Sequence, residues 1–329
     1  MTTRKQPECL DCTTPFDRRT FMRTVGGVAL AGAAAPLLLG GRIVQGAPTA
    51  ESAAETAAAR FYTSLSADQR NVIAFPFDHE LRNKISANWH ITKPSIRDDF
   101  YNADQRAIIE EILRNVTSEE GYEKLQKQME DDAGGLGEFS VAYFGTPESG
   151  QFEWELTGRH LTLRVDGDSV DKAAFGGPII YGHGEEDPAA NMYHYQTQKV
   201  NEVFKALNAK QVEKALVSDA PKESAVSLQG DAGAFPGIAI GELSSDQKTL
   251  VEGTLKTLLA VYRQEDVDEV MEILKGSGGL DPVHLAFYKQ GDIGNDQVWD
   301  IWRVEGPSFV WHFRGAPHVH AYINIGMKS

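Results

Sequence analysis

The sequence predicts an α+β protein assembled from two related halves. Three observations carry that expectation. Short motifs recur at a constant spacing: Leu65-Ser66-Ala67-Asp68-Gln69 returns as Leu207-Asn208-Ala209-Lys210-Gln211, and Ala103-Asp104-Gln105-Arg106 as Ser245-Asp246-Gln247-Lys248, both 142 residues on. Gly134-Gly135-Leu136 and Trp154-Glu155-Leu156-Thr157-Gly158 are echoed by Gly278-Gly279-Leu280 and Trp302-Arg303-Val304-Glu305-Gly306, with the offset growing slightly through loops. In each half the helical patterns come first and the strand patterns last, which is the run-by-run order of an α+β chain. The expectation is a duplicated, pseudo-two-fold body with halves 51–190 and 191–329 sharing one globule.

Residues 1–50 read as an export leader. Arg18-Arg19-Thr20-Phe21-Met22-Arg23 is a twin-arginine signature, followed by a small apolar run from Val25 to Leu39. That run is shorter than the ~20 residues of a spanning helix, and Ala47-Pro48-Thr49-Ala50 offers small residues for cleavage. The mature chain is therefore expected in the periplasm or outside the cell, handed over folded by the twin-arginine translocase and free of the membrane. Both cysteines, Cys9 and Cys12, precede the twin arginines. No disulfide or thiolate ligand remains after cleavage, so any metal has to be held by nitrogen and oxygen.

The elements then follow in order. Ala54 to Leu65 and Tyr195 to Leu207 carry apolar residues at helical spacing. Ser66 with Gln69 and Asn208 with Gln211 have capping-box spacing, as do Asn102 with Gln105 and Ser244 with Gln247. The helices these last two open bury Ile109, Ile112 and Leu113 in one half, and Val251, Leu255 and Leu258 in the other. A third helix per half stops at Gly134-Gly135 and at Gly276 to Gly279. Phe152 to Leu156, His160 to Val165 and Pro178 to Tyr181 read as a three-stranded antiparallel meander. Val298 to Val304, Phe309 to Arg314 and His318 to Ile325 are its counterpart. Pro76 to Pro94 and Ser218 to Gly241 read as irregular insertions. The tryptophans Trp154, Trp299, Trp302 and Trp311 are expected in the sheet core.

Histidine is what differs between the halves. Residues two apart share a strand face, so Leu161, Leu163 and Val165 face the core while His160, Thr162 and Arg164 point away. In the second half, Phe309, Trp311 and Phe313 face inward and His312 and Arg314 outward. Val319, Ala321 and Ile323 likewise oppose His318, His320 and Tyr322. A Gly315-Ala316-Pro317 turn would pair Arg314 with His318 and His312 with His320. Tyr181 and His183 are expected on the same outer face. His318-Val319-His320 is the sharpest signal, because two imidazoles two apart on a strand reach one divalent ion at ~2.0–2.1 Å for zinc. Arg164 and Arg314, with Tyr322, are candidates to receive a carboxylate substrate by bidentate hydrogen bonding, the alternative for each arginine being a surface ion pair.

Charge and motif content narrow the function classes. The net charge of −15 becomes −18 without the first fifty residues, which hold six Lys/Arg and three Asp/Glu. So acidic a surface repels phosphate backbones and argues against nucleic acid and anionic membranes as partners. No Gly-rich phosphate loop, nucleophile elbow or His-Glu-x-x-His motif is present.

A set of motifs in order resembles a known family. Trp154-Glu155-Leu156-Thr157-Gly158-Arg159-His160-Leu161 is similar to the Trp…Gly-His-His-Leu strand of domain-of-unknown-function family thirty-five hundred. Trp89…Pro94, Gln105-Arg106, Gly121-Tyr122, Tyr143 to Pro147, Asp187-Pro188-Ala189 and the terminal His318-Val319-His320 fit the same family. Arg159 stands where that family has the first histidine of a pair. The resemblance spans roughly residues 60–325, carries no agreed activity, and singles out His160, His318 and His320.

The expectation is thus an exported metalloprotein with a mononuclear zinc, copper or iron site on His160, His318 and His320, with His312 and His183 as further ligands or supports. A metal-dependent hydrolase or oxidase acting on a small molecule would use such a site. A non-catalytic extracytoplasmic ligand-binding module or a structural envelope protein is the alternative.

Overall fold

A computed structural model describes residues 46–290, 292 and 296–328; the twin-arginine signature, the apolar run behind it, Cys9 and Cys12 lie outside the described residues. Helices α1 (Ala53–Ser64) and α2 (Ala67–Ile73) lead to strand β1 (Ala74–Phe75), then α3 (Ala103–Asn115) and α4 (Glu119–Ala133). Strands β2 (Ser140–Thr146), β3 (Gln151–Gly158), β4 (Leu161–Val165) and β5 (Ile179–His183) follow. The same order recurs in α5 (His194–Lys205), α6 (Ala209–Ala215), β6 (Leu216–Val217), β7 (Ile238–Ala239), α7 (Ser245–Leu259) and α8 (Gln264–Gly276). It closes with β8 (His284–Tyr288), β9 (Ile301–Gly306), β10 (Phe309–Arg314) and β11 (Val319–Ile325). The protein is a mixed α+β fold with eight helices and eleven strands among the described residues.

All four capping boxes form, at α2, α3, α6 and α7, so each cap side chain and its glutamine satisfy otherwise orphaned N–H groups. The glutamines also link the helices. Gln69 Nε2 donates to Gln105 Oε1 at 2.9 Å, and Gln211 Nε2 to Gln247 Oε1 at 3.0 Å. Gln105 Nε2 then reaches the Ser64 carbonyl at 3.0 Å, and Gln247 Nε2 the Ala206 carbonyl at 2.7 Å. Each bond in one half has a partner in the other with the same sequence separation.

One sheet runs through both halves in the order β1-β2-β3-β4-β5-β11-β10-β9-β8-β6, with β7 on β8. Outward from the central β5–β11 pair, each side continues with three antiparallel strands and then a two-residue parallel strand. The expected three-stranded meanders were one strand short in each half, lacking β2 and β8. In β2, Ser140 to Phe144 are all buried, as are Leu285 to Tyr288 in β8. With both faces covered, the alternation that reveals a strand disappears.

The helices cover one sheet face. Trp154, Leu161, Leu163, Val165, Trp302, Phe309, Trp311, Phe313, Ala321 and Ile323 join the helical stripes in one core there. The other face is covered by the two insertions: Trp89 and Ile91 lie on Ala142 and Phe144, while Ala87 and Val226 lie on Ile180, Val310 and Tyr322. Among the described residues no helix is long and apolar enough to cross a membrane.

A buried ion cluster braces the body. Beside the helical core, Arg263 at the start of α8 holds Glu55 of α1 bidentately, at 2.8 and 2.7 Å, and Asp266 at 3.0 Å. Glu269 sits in the same acidic field without an arginine of its own, and burial, then the charges of Asp266 and Asp166, push its carboxyl up to about 8. An acid whose folded pKa is raised binds more protons folded than unfolded, so it supports folding below about 4.5. That support is lost as pH rises to about 8, at up to ~1.4 kcal/mol per pH unit. Glu269→Gln is expected to flatten this decline, which urea unfolding between pH 5 and 8.5 measures against the parent chain.

Candidate metal centre

The centre is assembled where the β3–β4 turn meets the start of β11. Gly158 pairs with Leu161, so Arg159 and His160 form a two-residue turn, and His160 takes a left-handed φ of 55°. His160 therefore lies in the turn and not in the strand expected for it. Its N–H is held by the Ala87 carbonyl at 2.6 Å, and Gln128 Nε2 donates to the Arg159 carbonyl at 3.2 Å, so both sides of the turn are pinned. His318 precedes β11 and His320 is its second residue.

The three imidazoles each offer one nitrogen, and these nitrogens lie within 4.8 Å of one another. His318 Nε2 and His320 Nε2 are 3.0 Å apart, close to the ~3.3 Å that tetrahedral ligands at ~2.0–2.1 Å from zinc would show. The His160 ring centroid is 5.2 Å from that of His318 and 4.9 Å from that of His320. Two carboxylates stand behind. Asp132 Oδ2 takes His160 Nδ1 at 2.8 Å, and Glu223 Oε2 takes His320 Nδ1 at 2.8 Å. A carboxylate on Nδ1 assigns the proton there and leaves Nε2 as a lone pair. Arg314 NH2, which can only donate, lies 3.4 Å from His318 Nε2. These contacts are compatible with an unprotonated Nε2 on each of the three rings, and the three nitrogens lie within 4.8 Å of one another.

Electrostatics favour the same state. Burial, then the neighbouring His320, Arg314, His160 and Arg159 charges, push His318 down to about 4. Burial likewise lowers His320, against the opposing pull of Glu223. Burial raises Asp132 and Glu223, but the bonds to their histidines outweigh it: His160 with the Gly184 N–H for Asp132, His320 with Arg314 for Glu223. Both carboxyls end below their ordinary range. Neutral imidazoles at His318 and His320 are what a divalent ion binds without first displacing protons.

The remaining expectations fare differently. His183 and Tyr181 lie opposite Val319 and Ala321, on the helix-packed face, not beside the outer histidines. His183 Nε2 contacts Asp131 Oδ2 at 3.1 Å instead. The β10–β11 register is displaced by two residues: Arg314 faces His320 and His312 faces Tyr322. An even shift preserves the faces, so His312 is outward but stands off the centre. It is buried among Arg303, Arg314 and Tyr322, where burial and then the Arg303 charge push it down to about 4. Arg164 is not free for a substrate. Its NH1 is taken by Glu153 and by Glu155 at 2.5 Å, with Arg82 on Glu153 at 3.0 Å. Arg314 remains beside the centre, bridging Glu223 at 2.8 Å, and Tyr322 lines an adjoining cavity.

Asp132 and Glu223 were missed by sequence reasoning. Asp132 did carry a signal, since α4 ends in Asp131 and Asp132 with no basic residue in its last turn. Acids at a helix C-terminus oppose the dipole. Glu223 sits in an irregular insertion with no such mark. Removing a carboxylate behind a ligating histidine typically costs 10- to 100-fold in metal affinity. Asp132→Asn and Glu223→Gln are each expected to weaken metal binding by that factor, as competition with a chelating dye measures.

A mixed α+β protein with three convergent histidines is the class that fold and site define. The chain matches the family described as Protein of unknown function (DUF3500) over residues 47–323, and it belongs to that family. No curated protein and no solved structure matches it.

Proposed function

We propose that this chain is an exported metalloprotein whose mononuclear centre binds a divalent ion through His160, His318 and His320 and keeps a coordination position open. The observation that carries the proposal is the approach of three imidazole nitrogens to within 4.8 Å, two of them backed by carboxylates. An ion on three neutral imidazoles supplies Lewis acidity and a lowered pKa for bound water, which suits a zinc hydrolase, while copper or iron on the same donors suits an oxidase. Arg314 would steady the anionic group of a small substrate beside the ion. Export by the twin-arginine route fits Arg18-Arg19 and a cysteine-free mature chain. Gene duplication accounts for the matched strand order and the matched glutamine bonds, and makes the body pseudo-two-fold.

Elemental analysis of protein purified after native export is the test, with the absorption spectrum of the same sample. One ion per chain in the parent and under about a tenth of that in His318→Ala/His320→Ala is expected. Colour would select copper or iron over zinc. Stoichiometric metal retained by the double variant would end the proposal.

A further inference from the structure

The two halves treat the outer face of the sheet differently. In the first half it is closed over, although Arg164 NH2 and Glu155 Oε2 are buried there without partners. Arg82, from the insertion between residues 76 and 94, closes the Glu153–Arg164–Glu155 cluster, and Trp89 and Ile91 cap Ala142 and Phe144. In the second half the corresponding face lies under two cavities of about 550 and 490 Å³. Ala220 and Pro221, in the insertion between residues 218 and 241, line both. The sheet contributes a polar row beneath them, because Arg303, His312 and Tyr322 stand opposite one another across β9, β10 and β11. Tyr288 and Glu305 extend the row in the smaller cavity.

The row has hydrogen-bonding capacity left over. Arg303 is 3% exposed; its Nε and NH2 engage Glu305 and the Ala225 carbonyl, while NH1 is buried with no partner. Tyr288 Oη and His312 Nδ1 are also buried without partners. An unsatisfied buried polar group costs ~1–3 kcal/mol, more when charged, and of the sixteen such side-chain atoms among the described residues these three belong to side chains that line the two cavities. Three such groups whose side chains line open space point to an acceptor that enters it. A guanidinium N–H is best satisfied by a carboxylate oxygen. Glu305 and Glu223 nearby disfavour a dianion such as phosphate, and Ile301, Pro221 and the Tyr322 ring offer an apolar wall.

We propose that these two adjacent cavities, which share the Ala220–Pro221 strap, bind a small organic monocarboxylate, its anionic end on Arg303 and Tyr288 in the smaller cavity and reaching towards His312 in the larger. This site goes beyond the three-histidine centre and does not require an ion. The two adjoin through Glu223, which lines the larger cavity and holds His320.

Calorimetric titration of the full mature chain with benzoate, benzamide and benzylammonium tests this, with metal content measured on every sample. Saturable one-to-one benzoate binding is expected, at least about tenfold tighter than either analogue, a gap of ~1.4 kcal/mol. Arg303→Met should weaken it at least tenfold. Ala220→Trp fills both cavities from the strap side and should abolish it while leaving the sheet intact, so the test survives if Arg303→Met fails to fold. Chelator-treated protein should bind benzoate within about twofold of untreated protein. No saturable binding, equal binding of benzamide, binding unaffected by Ala220→Trp, or binding that disappears with the metal would each overturn the proposal. None of these outcomes bears on the metal content of the histidine centre, which is read separately.

Discussion

Arg263→Met is expected to destabilise the folded chain by about 3–5 kcal/mol, the cost of leaving buried carboxylates without their cation. Arg263 is the shared partner of Glu55 and Asp266, and all three are buried. Its bidentate hold on Glu55 joins residues 208 apart in sequence, so the loss falls on the tie between α1 and the start of α8. Burial pushes Asp266 up to about 6 even with the arginine present, and removing the arginine would raise it further. The variant's deficit should therefore shrink between pH 7.5 and pH 5, as the stranded acids protonate. Glu55→Gln/Asp266→Asn added to Arg263→Met should recover part of the loss, because the remaining groups then carry no charge. Urea unfolding of the three proteins measures this. A deficit under 1 kcal/mol at both pH values would mean that water reaches the cluster and the ion pair does not brace the fold.

Withdrawal of the ion proposed at His160, His318 and His320 has the second large expected effect. A ligand present at 100 times its Kd stabilises the folded state by ~2.7 kcal/mol. At ~2–4 °C per kcal/mol for a domain of this size, chelation should lower Tm by about 5–10 °C, and restored zinc should reverse it. His160→Ala should melt at one temperature whether or not chelator is present. An equal chelator shift in His160→Ala would place the ion elsewhere and sink the assignment.

Much of the fold was legible in the sequence because its signals are local. The Ser66/Gln69 and Asn208/Gln211 boxes need only three residues each, and Trp311 with Phe313 alternates against His312 and Arg314 on a half-polar strand. The legible part of the site was His318-Val319-His320 with His160, whose conformation as a turn residue left its identity unaffected. What was hidden depended on register and on long-range contact. β5 reads Ile179, Ile180, Tyr181, so nothing in it marks which face His183 takes until β11 pairs beside it. Arg164 was a candidate for a carboxylate substrate or an ion pair on the surface, and the burial of its pair was hidden because Arg82, which helps close the cluster, comes from a segment 82 residues earlier. Glu223 comes to His320 across 97 residues of chain, beyond any spacing rule.

The pairing of β5 with β11 has a consequence for the order of events in the cell. It brings His160 to His318 and His320 from 158 and 160 residues away, so neither half of the chain alone can offer an ion all three nitrogens. Capture of the proposed ion would then wait until the two halves have zipped together. The ion would be a late clasp on a finished body and would not template its formation.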